Sequence, residues 1–130
     1  MNYNFIEESV YTFGITINTF GQTLIYNYIG IINEREIVPN NRCFCEIPEN
    51  SFYIRIDTET IYQGEKTYKI KLENKTYLKL KFILNLKTKQ LDFKNYDTNI
   101  SYGLINIKGK SFKFFVAKCL EGTIEYSILP

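Results

Sequence analysis

Apolar and polar residues alternate with a period of two through most of this 130-residue chain. The clearest stretch spans residues 66–95. There Tyr68, Ile70 and Leu72 alternate with Lys69, Lys71 and Glu73. Leu78, Leu80, Phe82, Leu84 and Leu86 then alternate with Lys79, Lys81, Ile83 and Asn85, and Leu91 and Phe93 with Asp92 and Lys94. Successive side chains of a strand point to opposite faces, so three such runs with polar turns between them predict an antiparallel meander with one buried face.

A one-residue slip would turn the apolar set to water, so apolar side chains must meet across each turn. That requirement predicts Leu72 opposite Leu78 and Ile70 opposite Leu80 around a loop of residues 74–76, with Lys71 opposite Lys79 and Lys69 opposite Lys81. In the second hairpin it predicts Leu86 opposite Leu91 and Leu84 opposite Phe93, with residues 87–90 at the tip.

The same reading extends outward. Residues 3–8 give a short strand, and residues 10–19 a half-buried one with Tyr11, Phe13, Ile15 and Ile17 on one face. Residues 23–33 are apolar on both faces, with Leu24, Tyr26, Tyr28 and Ile32 against Ile25, Ile29 and Ile31. Such a strand is covered on both sides or forms an interface. Cys43 to Ile47, Phe52 to Ile56, Thr60 to Gln63, Ile100 to Ile107, Phe112 to Val116 and Ile124 to Ile128 complete the pattern. Gly14, Gly30 and Gly103 fall inside strands, where glycine marks a bulge, a bend or a close backbone approach. No window has a 3.6-residue period. The prediction is a single antiparallel all-β domain over residues 1–130, with about 9–11 short strands, built as a meander-type closed barrel or a curved β-sandwich. The strand glycines favour the barrel.

Composition changes this picture little. A hydrophobic content of 45% with 16% aromatic residues excludes disorder. Ile, Asn, Lys, Tyr and Phe make about half of the chain, and AT-rich codons encode all five, so lysine and tyrosine counts carry less weight than their placement. With no apolar run of transmembrane length, no visible signal peptide and an odd count of three cysteines, the expectation is a cytoplasmic protein with reduced thiols and no membrane partner.

Charge placement is more telling. Residues 1–65 hold nine carboxylates and three arginines, a net of −6, and residues 66–130 hold thirteen lysines and five carboxylates, a net of +8. Such asymmetry fits an anionic partner or head-to-tail self-association.

Catalytic chemistry is poorly represented. The chain has no histidine, which removes every Ser-His and Cys-His nucleophile arrangement and the commonest metal ligand. No Gly-rich phosphate loop occurs. Cys43, Cys45 and Cys119 fall one short of a tetrahedral site and read as buried small hydrophobes. The pairs Glu34/Glu36, Glu46/Glu49 and Asp57/Glu59 read as solvated loop residues. No metal, cofactor or catalytic residue is predicted.

The candidate binding residues are Lys69, Lys71, Lys79, Lys81, Lys87, Lys89 and Lys94 on the meander, with Tyr26 and Tyr28 on the two-sided strand. The first reading is a non-enzymatic interaction protein that binds an acidic protein surface or its own copies, such as a phage, viral or mobile-element inhibitor or structural subunit. A second is a carrier of small apolar ligands in a Tyr-lined barrel lumen. A third is a nucleic-acid-binding barrel, weakened because Tyr68, Phe82 and Phe93 are predicted to point inward, away from the lysines. A small hydrolase or transferase built on carboxylates and tyrosine comes last.

Overall fold

The computed structural model describes residues 4–5, 10–21, 27–33, 35, 51–63, 66–109, 111–118 and 125–129. Among them eleven strands follow in chain order: β1 (Asn4–Phe5), β2 (Val10–Asn18), β3 (Asn27–Asn33), β4 (Ser51–Arg55), β5 (Thr60–Gln63), β6 (Lys66–Lys69), β7 (Tyr77–Asn85), β8 (Gln90–Asn95), β9 (Ser101–Asn106), β10 (Phe112–Lys118) and β11 (Glu125–Leu129). They form two antiparallel sheets. Sheet A has six strands in the order β1-β10-β3-β4-β5-β6, and sheet B has five in the order β11-β2-β7-β8-β9.

The all-β antiparallel expectation holds. Of the two architectures, the structure is the sandwich, and the closed barrel is corrected: each sheet ends in edge strands instead of returning on itself. Alternation explains the core. Ile15 and Ile17 of β2, Leu78 to Leu84 of β7, Leu91 and Phe93 of β8 and Ile105 of β9 face Ile29, Ile31, Phe52, Ile54, Ile61, Phe112 and Phe114 of sheet A. Phe13 stacks on Phe82 at 5.1 Å and meets Phe114 edge-on at 5.2 Å, tying the two sheets together. Such pairs add about 0.5–1.5 kcal/mol beyond the area they bury.

The lysine-rich run is not one meander. β6 pairs with the strand before it, with Ile61 opposite Tyr68 and Thr60 opposite Lys69. The chain then crosses to sheet B, where β7 lies between β2 and β8. Leu72–Leu78, Ile70–Leu80, Lys71–Lys79 and Lys69–Lys81 are therefore not pairs. The physical reason is that a period of two fixes which face a residue takes, not which strand it pairs with. Ile61 offers Tyr68 the apolar neighbour that sheet B was expected to supply.

Glu59 holds the crossover. It sits in the left-handed region at φ 52°, and its Oε2 accepts the Leu72 N–H at 2.8 Å. Its carbonyl oxygen accepts the Ile70 N–H at 2.9 Å, and Lys75 lies 3.4 Å from Oε1. The backbone hydrogen bond from Leu72, chiefly, holds the Glu59 carboxyl below its usual range. Asn74 then closes a side-chain-capped turn, its Oδ1 accepting from Thr76 N–H at 2.8 Å.

The second hairpin forms, with its register moved by two residues. Leu84 lies opposite Leu91 and Phe82 opposite Phe93, leaving residues 86–89 as the turn. A shift of two keeps every side chain on its expected face. Asn85 sets the turn by accepting the N–H groups of Lys87 at 3.0 Å and Thr88 at 3.1 Å, and Lys89 adopts φ 56°.

Two strand glycines answer to close approach. A Cβ on Gly30 would stand 2.2 Å from the Phe52 carbonyl oxygen, and one on Gly14 would stand 2.5 Å from the Tyr96 ring. Gly103 lies beside an irregularity in the β8–β9 ladder, where Phe93 pairs with Gly103 and Lys94 with Ser101. Tyr102 is the extra residue of that bulge.

Candidate functional site

The side chains that sheet B does not send into the core form its outer face. In register these are Thr12, Gly14 and Thr16 of β2, Lys79, Lys81 and Ile83 of β7, Asp92 and Lys94 of β8, and Leu104 and Asn106 of β9. Lys81 lies directly opposite Lys94. Like charges so placed are destabilising, within the range of about 0.2–1 kcal/mol for cross-strand pairs.

Neutralisation of this face is partial. Lys94 Nζ stands 3.7 Å from Asp92, and Lys79 Nζ stands 3.8 Å from Asp97. Lys81 Nζ donates to the Asn99 side-chain oxygen at 3.3 Å. Long, solvated ion pairs of this kind contribute about 0–1 kcal/mol. Asp92 also accepts a hydrogen bond from the Ser101 hydroxyl at 2.5 Å.

Two tyrosines join the lysines, Tyr77, which is 46% exposed at the start of β7, and Tyr96. Tyr96 follows β8, donates its N–H to the Lys79 carbonyl at 3.0 Å, and lays its ring over Gly14. Gly14 in turn lies opposite Lys81. Sequence reasoning missed Tyr96 because it stands in a turn, where alternation says nothing about direction. The available signal was a mid-strand glycine, whose missing side chain leaves room for a ring.

The other candidate lysines disperse. Lys69 shares the outer face of sheet A, where it lies opposite Thr60 and donates to Thr58 O at 3.1 Å and to Thr60 Oγ1 at 3.2 Å. Lys71 is exposed in the crossover. Lys87 is exposed in the β7–β8 turn, while Lys89 reaches from that turn to the Gly109 carbonyl at 2.7 Å, tying it to the segment between β9 and β10. Seven lysines expected on one face thus occupy two opposite faces and two connections. Tyr28 is 3% exposed and packs edge-on against Tyr53, inside the fold instead of on its surface. Tyr26, the three cysteines, Glu34, Glu36, Glu46 and Glu49 lie outside the described residues.

Asp57 and Glu59 serve different partners. Arg55 Nη2 lies 2.9 Å from Asp57 Oδ2 and its Nε 3.0 Å from Oδ1, while Glu59 serves the crossover. Among the described residues no three His, Cys, Asp or Glu side chains group where they could hold a metal.

A polar cluster lies where the crossover meets the end of β8. The Tyr102 hydroxyl donates to Glu73 Oε2, and Asn95 Nδ2 donates to the same oxygen at 3.3 Å and to the Tyr102 oxygen at 3.1 Å. Burial and then the Glu73 bond push the Tyr102 hydroxyl up to about 12, and that hydrogen bond holds the Glu73 carboxyl below its usual range. At neutral pH the pair is a neutral donor facing an ionised acceptor, a structural latch. Because the Glu73 value is depressed by folding, its stabilisation is present above the ordinary glutamate range near pH 4.3 and is lost as pH falls through the lower folded value.

With this geometry in hand, two solved structures resemble the chain. The SPRY domain of human HERC1 superposes with a TM-score of 0.71 at 11% identity, over 97% of this chain and 77% of that one. The PSpry domain of TRIM65 superposes with a TM-score of 0.65 at 11% identity, over 100% of this chain and 66% of that one. The shared feature is the fold. No protein-family model and no curated protein matches the chain. No helix among the described residues is long and apolar enough to cross a membrane.

Proposed function

We propose that this chain is a non-enzymatic protein-binding domain that recognises an acidic protein surface with the outer face of sheet B, through Lys79, Lys81 and Lys94. The observation that carries the reading is Lys81 standing opposite Lys94. Two lysines at opposed positions of a ladder, one of them reaching only an uncharged amide, are relieved further by an anion, and carboxylates of a partner supply it. The likeness to SPRY domains, a fold used for protein–protein recognition, supports the binding class as an analogy of fold.

Nucleic acid is the weaker reading. The described outer face carries lysines and two tyrosines, Tyr96, whose ring covers Gly14, and exposed Tyr77 at one end of β7. Backbone-tracking surfaces add several stacking rings, and bidentate phosphate recognition calls for arginine. The apolar-ligand carrier loses its premise, since it needed a barrel lumen and side chains fill the space between the sheets.

The test is a pull-down from the native host with the wild-type chain, a Lys79→Glu/Lys81→Glu/Lys94→Glu variant and Lys69→Glu. The triple variant loses the proteins that wild type retains, Lys69→Glu keeps them, and added salt weakens capture. Equal capture by the wild-type chain and the triple variant overturns the assignment.

A further inference from the structure

The two edge strands on one side of the sandwich differ in kind. β6 is edged by Lys66 and Lys69, two charges in four residues. Charge of that sort blocks the addition of another strand. β9 reads Ser-Tyr-Gly-Leu-Ile-Asn and carries none. Leu104 is 58% exposed on it, and Ile100, just before it, is 67% exposed.

The ladder shows which backbone groups β9 leaves open. Ile107 N–H donates to the Lys89 carbonyl at 2.9 Å. Ile105 and Gly103 stand opposite Leu91 and Phe93 in the same ladder. In an antiparallel pair the hydrogen-bonded residues alternate, so the odd-numbered ones turn their amides to β8. Leu104 and Asn106 turn theirs to the side on which, among the described residues, no strand pairs. The charges at the two ends of the strand are opposite: Asp97, 64% exposed, precedes β9, and exposed Lys108 follows it.

We propose that β9 is a self-pairing edge, which joins two copies of this chain antiparallel about a twofold axis normal to sheet B. Leu104 of one copy stands opposite Leu104 of the other, and Gly103 opposite Ile105, on the regular side of the bulge at Tyr102. Antiparallel pairing brings the Lys108 end of each copy to the Asp97 end of its neighbour, so the charges complement each other twice. The two five-stranded sheets become one of ten strands, and an axis normal to the sheet puts both sets of Lys79, Lys81 and Lys94 on the same side. The interface needs no other partner, and it touches the lysine face only through Asp97, which stands 3.8 Å from Lys79.

Sedimentation of the full chain alone, from about 1 to 100 µM, spans a Kd in the micromolar range. The wild-type chain dimerises. Leu104→Lys and Leu104→Glu, exposed substitutions that the fold accommodates, are each monomeric, because like charges meet at the axis. Mixed in equal amounts they form a heterodimer, because Lys then faces Glu. Lys81→Glu/Lys94→Glu, which leaves Lys79 beside Asp97 in place, dimerises like wild type, so loss of partner binding and loss of self-pairing are told apart. A wild-type monomer at 100 µM, dimers unaffected by either substitution, or a mixture that stays monomeric each overturn the proposal.

Discussion

On the outer face of sheet A, Tyr28, Gly30, Ile32, Tyr53 and Phe115 are buried, whereas the same face of sheet B carries Lys79, Lys81 and Lys94 beside Thr12 and Thr16. Tyr53, 2% exposed, stacks on Tyr62 at 4.7 Å and meets Tyr28 and Phe115 edge-on. The Arg55 guanidinium sits 5.8 Å from the Tyr28 ring centre. Burial above all drives the Tyr53 hydroxyl well above the ordinary tyrosine range. A strand apolar on both sides, such as β3, thus spends both faces on the fold. A strand that alternates, such as β7, leaves one facing outward.

Each face has a glycine near its middle, and substituting the two breaks the comparison at different strengths. Gly30→Ala is expected to have the largest effect, about 3 kcal/mol or more, because its Cβ meets backbone atoms of β4 that have nowhere to go. Denaturant unfolding reads this directly, and wild-type stability would mean that the buried face is looser than described. Gly14→Ala is expected to cost about 1 kcal/mol, because a side-chain ring can swing away. In a Tyr96→Ala background that cost falls to what the Leu129 Cβ, 3.0 Å from the added atom, still imposes, a coupling that a double-mutant cycle measures. The smallest effect belongs to Lys81→Glu. Relieving the pair with Lys94 gains a few tenths of a kcal/mol on the cross-strand scale of about 0.2–1 kcal/mol. Partner capture falls at the same time. A residue whose removal stabilises the fold and weakens binding is held there for binding.

Much of the fold was legible in the sequence. Tyr11, Phe13, Phe112 and Phe114 take the inward face that alternation assigns them, and the strand glycines stand at close approaches and beside a bulge. Partners were not legible. Tyr68 satisfies its pattern beside Ile61 as well as it would beside a strand of sheet B, and the groups that hold the crossing, Glu59 in a turn far from β7 and Glu73 bonded to Tyr102, lie outside the alternating runs that meet. The candidate site inherited that error. Lys69, Lys79, Lys81 and Lys94 were assigned the right kind of face within their own strands, but Lys71, Lys87 and Lys89 stand in connections, and Lys69 was grouped with Lys81 although they belong to different sheets. Barrel against sandwich turned on the same missing information, since closure depends on which edges meet.

The strand order also sets a schedule for folding. β3 gains one neighbour from β4, soon after it in the chain, but its other neighbour is β10, with Ile32 opposite Lys113 and Ile31 opposite Phe114. At synthesis rates of roughly 5–20 residues per second, the ~80 residues between them take about 4–16 s to emerge. Through that interval β3, apolar on both of its faces, has an unpaired edge, the state in which strands recruit one another between molecules. Non-local pairing of this kind also places folding itself in the slow range of about milliseconds to seconds. The nascent chain therefore depends on dilution or a chaperone until Lys118 has left the ribosome.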